Sequence, residues 1–190
     1  MSPDSDDIYW RRANQTSQQL GPTALESAAG TGSLKLVELL LDRGAELSPP
    51  ADYEGDSALA RACMREDLAL VRLLLDRAAS PNPVNPRSAS PLSRAAAMGD
   101  LSVILLLRAA GAEVSIGAKN QNPLTAAAMN GRLDVVEYLL GLEKRESVFK
   151  DAIEKAEKAL DGCHAEVVSR LKRFLEEQHP RKWSRMEKVS

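Results

Sequence analysis

The chain has 190 residues, of which 44% are apolar but only 4% aromatic, and its formal net charge is −2. That composition supports a core packed from Leu and Ala, and it carries no overall field that demands nucleic acid or a lipid surface as partner. Charge is uneven along the chain, with 4 basic and 10 acidic residues in 1–56 against 21 and 17 in 57–190, a gradient read as ordinary solvated helix faces, the alternative being that it orients a partner along the long axis. The two cysteines, Cys63 and Cys163, make no disulfide framework, and Cys63 falls among small apolar residues. The start has acids where a secretory leader needs cations, and the longest apolar run, Val103 to Leu107, is far short of a membrane span. A cytoplasmic or nuclear protein is expected.

Residues 1–17 are polar, interrupted by Ile8, Tyr9 and Trp10. These three are expected to fold back over the element that follows; the alternative is a short linear anchor for a partner. From Gly21 to Ser48 the pattern predicts two short helices and a return loop. Thr23 followed by Glu26 reads as a capping box, Leu25, Ala28 and Ala29 share one face, and Gly30-Thr31-Gly32 ends the helix. Ser33 is expected to cap a second helix with a broad Leu/Val stripe from Leu34 to Leu41, and Gly44 stands where a left-handed C-terminal cap is wanted. Neither helix is long enough to persist alone, so each needs a neighbour.

The neighbours come by repetition. Leu25 recurs as Leu59, Leu92 and Leu124, in steps of 34, 33 and 32 residues. The capping position reads Thr23, Ser57, Ser90 and Asn122, and Pro91 and Pro123 follow it where a missing amide costs nothing. Small residues recur at the helix crossing, from Ala28-Ala29 through Ala62-Cys63 and Ala95-Ala96 to Ala127-Ala128. Leu34, Leu68, Leu101 and Leu133 open the second helices, three of them behind Ser33, Asp67 or Asp100. After Gly141 the pattern changes. Ser147 to Leu160 predicts a longer amphipathic helix, Asp161-Gly162 a turn, and Val167, Val168, Leu171, Phe174 and Leu175 a second helix.

This period near 33, with Thr23-Ala24-Leu25, Ser57-Ala58-Leu59, Ser90-Pro91-Leu92 and Asn122-Pro123-Leu124 at the place of a T-P-L-H-x-A element and the following Leu/Val stripes at that of G-x-L-x-V-V-x-L-L-L, resembles the ankyrin repeat, over about Gln18 to Glu143. The resemblance implies an all-α solenoid of stacked helix-turn-helix units with projecting hairpin-like loops. Its expected divisions are a polar N-terminal segment, 1–17; repeats over about 18–50, 51–84, 85–116 and 117–143; a degenerate helical cap, 144–178; and a basic tail, 179–190. A cap with a polar outer face is what such a stack requires. Departures from the family pattern are specific. Glu26, Ala60, Ser93 and Thr125 stand at the usual His, Glu66 at the mid-repeat Gly, Ala78 and Glu143 at the later Gly, and Arg108 at an apolar place.

Such a stack implies a protein partner bound in a concave groove. By position in the family pattern, Tyr53, Glu54 and Asp56 lie on the first full finger loop, Arg87 on the next, and Lys119 and Gln121 on the third. Met64, Met98 and Met129 end first helices and would offer an adaptable apolar strip, flanked by Arg65 and Asn130. Each of these singly is also readable as an ordinary loop residue or gap filler. No catalytic set emerges: His164 and His179 have no carboxylate or thiol constellation around them, and Cys163-His164 lacks zinc-ligand spacing. Gly30-Thr31-Gly32 follows a helix and not a strand, which argues against a phosphate loop. The expectation is a non-enzymatic module with no cofactor, metal, small-molecule substrate, nucleic acid or membrane as partner, acting as inhibitor, scaffold or escort. The alternative is an adaptor or recognition subunit of a larger assembly, such as a ubiquitin ligase, that engages other components through Tyr9-Trp10 and the Arg181 to Arg185 tail.

Overall fold

The computed structural model describes residues 22–48, 55–83, 85, 88–115, 122–159 and 163–178. They form helices and turns, with no strand among them. The helices run in pairs: α1 (Ala24–Thr31) with α2 (Leu34–Asp42), α3 (Ala58–Met64) with α4 (Leu68–Asp76), α5 (Pro91–Met98) with α6 (Leu101–Ala109), and α7 (Pro123–Met129) with α8 (Leu133–Leu140). A longer pair closes the series, α9 (Glu146–Lys158) and α10 (Cys163–Gln178). The expected start of α9 at Ser147 moves by one residue. Residues 160–162, with the expected Asp161-Gly162 turn, lie outside the described residues, as do residues 1–21 and the tail.

The first helices of the four repeats start where their caps say. Thr23 and Glu26 close the capping box, with Thr23 N donating to Glu26 Oε2 at 2.7 Å. Ser57, Ser90 and Asn122 accept from Ala60 N, Ser93 N and Leu124 N. Among the second helices, Asp67 and Asp100 cap as expected, but Ser33 makes no side-chain cap bond. Ser33 and Asp67 share nearly the same backbone, φ −82° and ψ 88° against −85° and 88°. The longer Asp side chain spans that geometry to reach Leu70 N at 3.0 Å; the shorter hydroxyl does not.

Packing follows a single row. α1, α3, α5, α7 and α9 each lie against the next; α2, α4 and α6 do likewise behind them, and α10 lies against α8. The core is continuous from Leu25 to Leu175 and holds the recurring set Leu25, Leu59, Leu92 and Leu124 together with Leu40, Leu74, Leu107 and Leu139. Phe149 and Phe174 pair across α9 and α10 with ring centroids 5.4 Å apart. Cys63 is fully buried at its crossing; desolvation, helped by Asp100, pushes its thiol well above the ordinary range, so it behaves as a small hydrophobe.

The junction before α9 departs from the others. The earlier units leave their second helix through a left-handed residue, Gly44, Ala78 or Gly111, whereas Glu143 at the matching place turns its side chain inward. Its side chain is 3% exposed and accepts from Lys144 N, Arg145 N, Arg145 Nε and Nη2, and Asn122 Nδ2, at 2.9–3.0 Å. Burial raises its pKa, but these hydrogen bonds outweigh burial and hold the carboxyl below its usual range. Asn122 also donates to Val114 O at 3.1 Å, so one buried cluster ties the fourth unit to its two neighbours. Glu143 is therefore a structural hub and not an eroded turn residue.

Candidate protein-binding face

The layer of first helices buries Leu and Ala positions on both sides, which leaves each helix one accessible stripe at i, i+3 spacing. The stripe reads Arg61 and Met64 on α3, Arg94 and Ala97 on α5, and Ala126 and Met129 on α7. Met64 and Met129 occupy the same place in their units and are 42% and 43% exposed. The arginine row is held in position. Arg94 pairs with Asp56 Oδ1 at 2.8 Å, and Arg61 Nε donates to Asp56 O at 3.3 Å.

Beyond the helix ends, side chains from one unit reach back to the carbonyls of the one before. Arg65 donates to Gly30 O at 3.2 Å, Arg132 Nε to Ala97 O at 3.1 Å, and His164 Nε2 to Met129 O at 2.8 Å. All three carbonyls occupy the same place in their helices, so the His164 contact puts α9 and α10 in register as a fifth unit. The guanidinium groups lie so close to the turn that a Cβ on Gly32 would stand 2.6 Å from Arg65 Nε. Gly32, at φ 76°, thus answers both a left-handed backbone and a close approach.

Models of ankyrin repeats match the chain twice, one described as ankyrin repeats in three copies over residues 8–85 and one as ankyrin repeats in many copies over residues 92–140. The chain belongs to the ankyrin-repeat family. Comparison of the whole chain with curated proteins gives no significant match. Ankyrin repeats are generally protein–protein interaction modules and typically non-catalytic. The first match begins ten residues ahead of Gln18, where the resemblance was first legible.

Within this ankyrin stack the expected site residues divide. Met64, Arg65, Met129 and Asn130 are exposed along the ends of the first helices, with Asn130 Nδ2 donating to Ala126 O at 2.8 Å. Met98 is half-buried, one place out of register, beside Gly99, Gly131 and Arg132 in a cavity of 300 Å³. The three methionines therefore do not make one strip; Met64 and Met129 are separated by Ala97. Asp56 is partly buried in its ion pair and presents less of its carboxylate than a free loop residue would. Tyr53, Glu54, Arg87, Lys119 and Gln121 lie outside the described residues.

Arg61 and Arg94 were not foreseen. Their signal was available, since both stand two residues after the recurring Leu, on the only side of a first helix that the stack leaves open. Two of the residues at the usual His position make side-chain hydrogen bonds. Ser93 bonds Ser90 at 2.9 Å within its own unit, whereas Thr125 reaches Asp151 of α9 at 3.1 Å. Arg108, unexpected at an apolar place, is half-buried and donates to Ala112 O. Among the described residues no group of three or more His, Cys, Asp or Glu is placed to hold a metal, and no helix is long and apolar enough to cross a membrane.

Proposed function

We propose that this chain captures a protein partner on the accessible stripe of its first-helix layer and on the adjoining loops, and serves that partner as inhibitor, scaffold or escort without chemistry. One observation carries the reading. Met64 and Met129 hold large, adaptable side chains in water at matching places on a surface whose other helix residues are small or arginine. An unbranched thioether fits irregular partner surfaces, and helix-borne anchors cost little ordering entropy on binding. Arg61, Arg65 and Asn130 supply polar contacts at the edge of that strip. Tyr53, Glu54, Arg87, Lys119 and Gln121 extend it by their places on the connecting loops. A cytoplasmic or nuclear setting accompanies this reading.

The adaptor reading has a separate observation in its favour. At the far end of the stack a 330 Å³ cavity, lined by Leu140, Phe149 and Phe174 on one hand and Lys144, Glu146 and Gln178 on the other, offers a second place for a component other than the target. Deleting residues 179–190 leaves capture and assembly intact on the first reading; on the adaptor reading it abolishes assembly while the groove still binds.

The test is affinity capture from cell extract, read by mass spectrometry, with the wild-type chain and with Met64→Asp combined with Met129→Asp. Loss of the captured partner by roughly tenfold or more, equivalent to about 1.4 kcal/mol, with unchanged helical circular dichroism, supports the assignment. Equal capture by a folded double variant moves the binding face elsewhere.

A further inference from the structure

Of the four repeats, only the second carries a charge at both ends of the accessible stretch of its first helix. Arg61 and Arg65 stand there on α3, where α1 has Ser27 and Thr31, α5 has Arg94 and Met98, and α7 has Ala126 and Asn130. At i, i+4 spacing the two arginines share one face, and like charges so placed repel. Both head groups gather over the same turn of the unit before. Arg65 Nη1 donates to Gly30 O at 3.2 Å, and Arg61 Nη1 lies 3.4 Å from where a Cβ on Gly30 would stand. Ser27 and Thr31, the counterparts on that neighbouring unit, are exposed and uncharged.

Among the described residues no carboxylate is in ion-pair contact with either arginine. The Asp56 carboxylate is committed to Arg94 at 2.8 Å, and Arg61 takes only the Asp56 carbonyl. A guanidinium presents its N–H donors as a rigid fork, and each of these spends one donor on a carbonyl, so most of both forks stays available to a ligand. Closing a helix C-terminus accounts for the Arg65 bond, as it does for Arg132 and His164 elsewhere in the row. It does not account for a second guanidinium beside the first.

We infer that Arg61 and Arg65 form a clamp for a carboxylate, and that the partner segment seated on this face is acidic, presenting an Asp or Glu side chain to the two guanidinium groups next to Met64. The inference rests on the first-helix stripe being the binding face. Charge complementarity selects the occupant, since the forks match the two oxygens of a carboxylate and its charge relieves the repulsion that the free chain carries. Met64 lies between the arginines in the chain and is 42% exposed, so an apolar contact adjoins the charges. A nucleic-acid backbone fits less well. It repeats its charge along a track, whereas Arg94 on the next unit is already paired and Ala126 and Asn130 on the fourth are neutral.

The experiment selects phage-displayed random peptides on the full chain and measures the enriched sequences by fluorescence anisotropy. The inference predicts enrichment of Asp and Glu and an affinity that falls as salt is raised. It predicts a loss of roughly tenfold when the peptide's acid is replaced by its amide, and the same loss in Arg61→Gln with Arg65→Gln. Combining the two changes adds little, because each removes the same contact. Selection that enriches no acidic residue, or yields no peptide, overturns the inference, as does an acidic peptide that binds the folded arginine variant as tightly as the wild type. The replacement on the peptide reads the contact whether or not that variant folds. A labelled single-stranded DNA whose steeply salt-dependent binding is lost in the arginine variant, while no acidic peptide binds, would overturn it in favour of a phosphate backbone. Met64→Ala with Met129→Ala separates this inference from the reading beneath it. Non-acidic peptides that lose affinity in the methionine variant keep the binding face and overturn the clamp; acidic peptides that keep full affinity there and lose it in the arginine variant keep the clamp and take the methionines out of the contact.

Discussion

The second and third units share one register but not one chemistry at their turns. Where the third unit has Gly99 at φ 96° and Gly111 at φ 92°, the second has Glu66 at φ 58° and Ala78 at φ 67°. A side chain in the left-handed region costs about 1–2 kcal/mol relative to its ordinary conformation. The second unit nevertheless makes the same closing bonds: Ala78 N to Leu75 O and Ala79 N to Leu74 O match Gly111 N to Arg108 O and Ala112 N to Leu107 O. Helices packed on both sides thus impose the turn, and the residue at the turn only sets its cost. A unit in the middle of the row can carry strain because α3 is held between α1 and α5.

If the two units are equal in packing and differ only at their turns, their core leucines should respond alike. Leu74→Ala and Leu107→Ala, both fully buried at the same place, should each lower the unfolding free energy by about 2–5 kcal/mol. Urea denaturation checks this, and a large inequality would show that the second unit is also loosely packed. The next effect lies outside both units. Asn122→Ala removes the cap of α7 and leaves the buried Glu143 short of a donor, a loss of about 1–3 kcal/mol.

Glu143 also gives the acid limb its sign. Its folded pKa is depressed, so its stabilising contribution is full above the unfolded carboxyl value, about 4.3, and is lost as pH falls through the folded value. Glu143→Gln should flatten the stability profile below about pH 4.3 relative to the wild type, measured by urea midpoints across pH; an unchanged slope would place the acid sensitivity elsewhere.

The turns themselves should respond in mirror image. Ala78→Gly relieves the strained conformation and should gain about 1 kcal/mol, while Gly111→Ala imposes it and should lose about 1 kcal/mol. Nothing lies within 4 Å of a Cβ on Gly111, so that loss is backbone strain alone. Smallest of all is Arg77→Ala, which converts the second unit to the third unit's Ala110 and removes an exposed pair with Asp42 at 2.9 Å. It should change stability by less than about 1 kcal/mol, and paired thermal melts of the two variants resolve both effects.

What the sequence disclosed was everything that depends on local chemistry and period. Thr23 with Glu26, the Ser and Asn caps, the crossing alanines with Cys63, and the four leucine registers are each readable from neighbours within one turn of helix or from one repeat to the next. What it concealed depends on reach across a unit boundary. Arg65, assigned to the groove rim, spends one guanidinium edge on Gly30 O, and Arg132 and His164 repeat the device from positions that the repeat alignment does not equate. Glu143 looked like a degraded turn because its role comes from Asn122 and Arg145 folding onto it. Met98 looked like a partner of Met64 and Met129, yet it stands six residues after its recurring leucine where they stand five after theirs, an offset legible in the sequence. Ser33 looked like a cap because the sequence does not carry the length that a side chain must span.

Amide hydrogen exchange of this chain, free and bound to the partner that it captures, tests the central claim most directly. A row of helix pairs that binds through its first-helix layer predicts new protection at the ends of α3, α5 and α7, around Met64, Ala97 and Met129, with α4 and α6 unchanged. Protection confined to α4 and α6, on the opposite side of the stack, would contradict it.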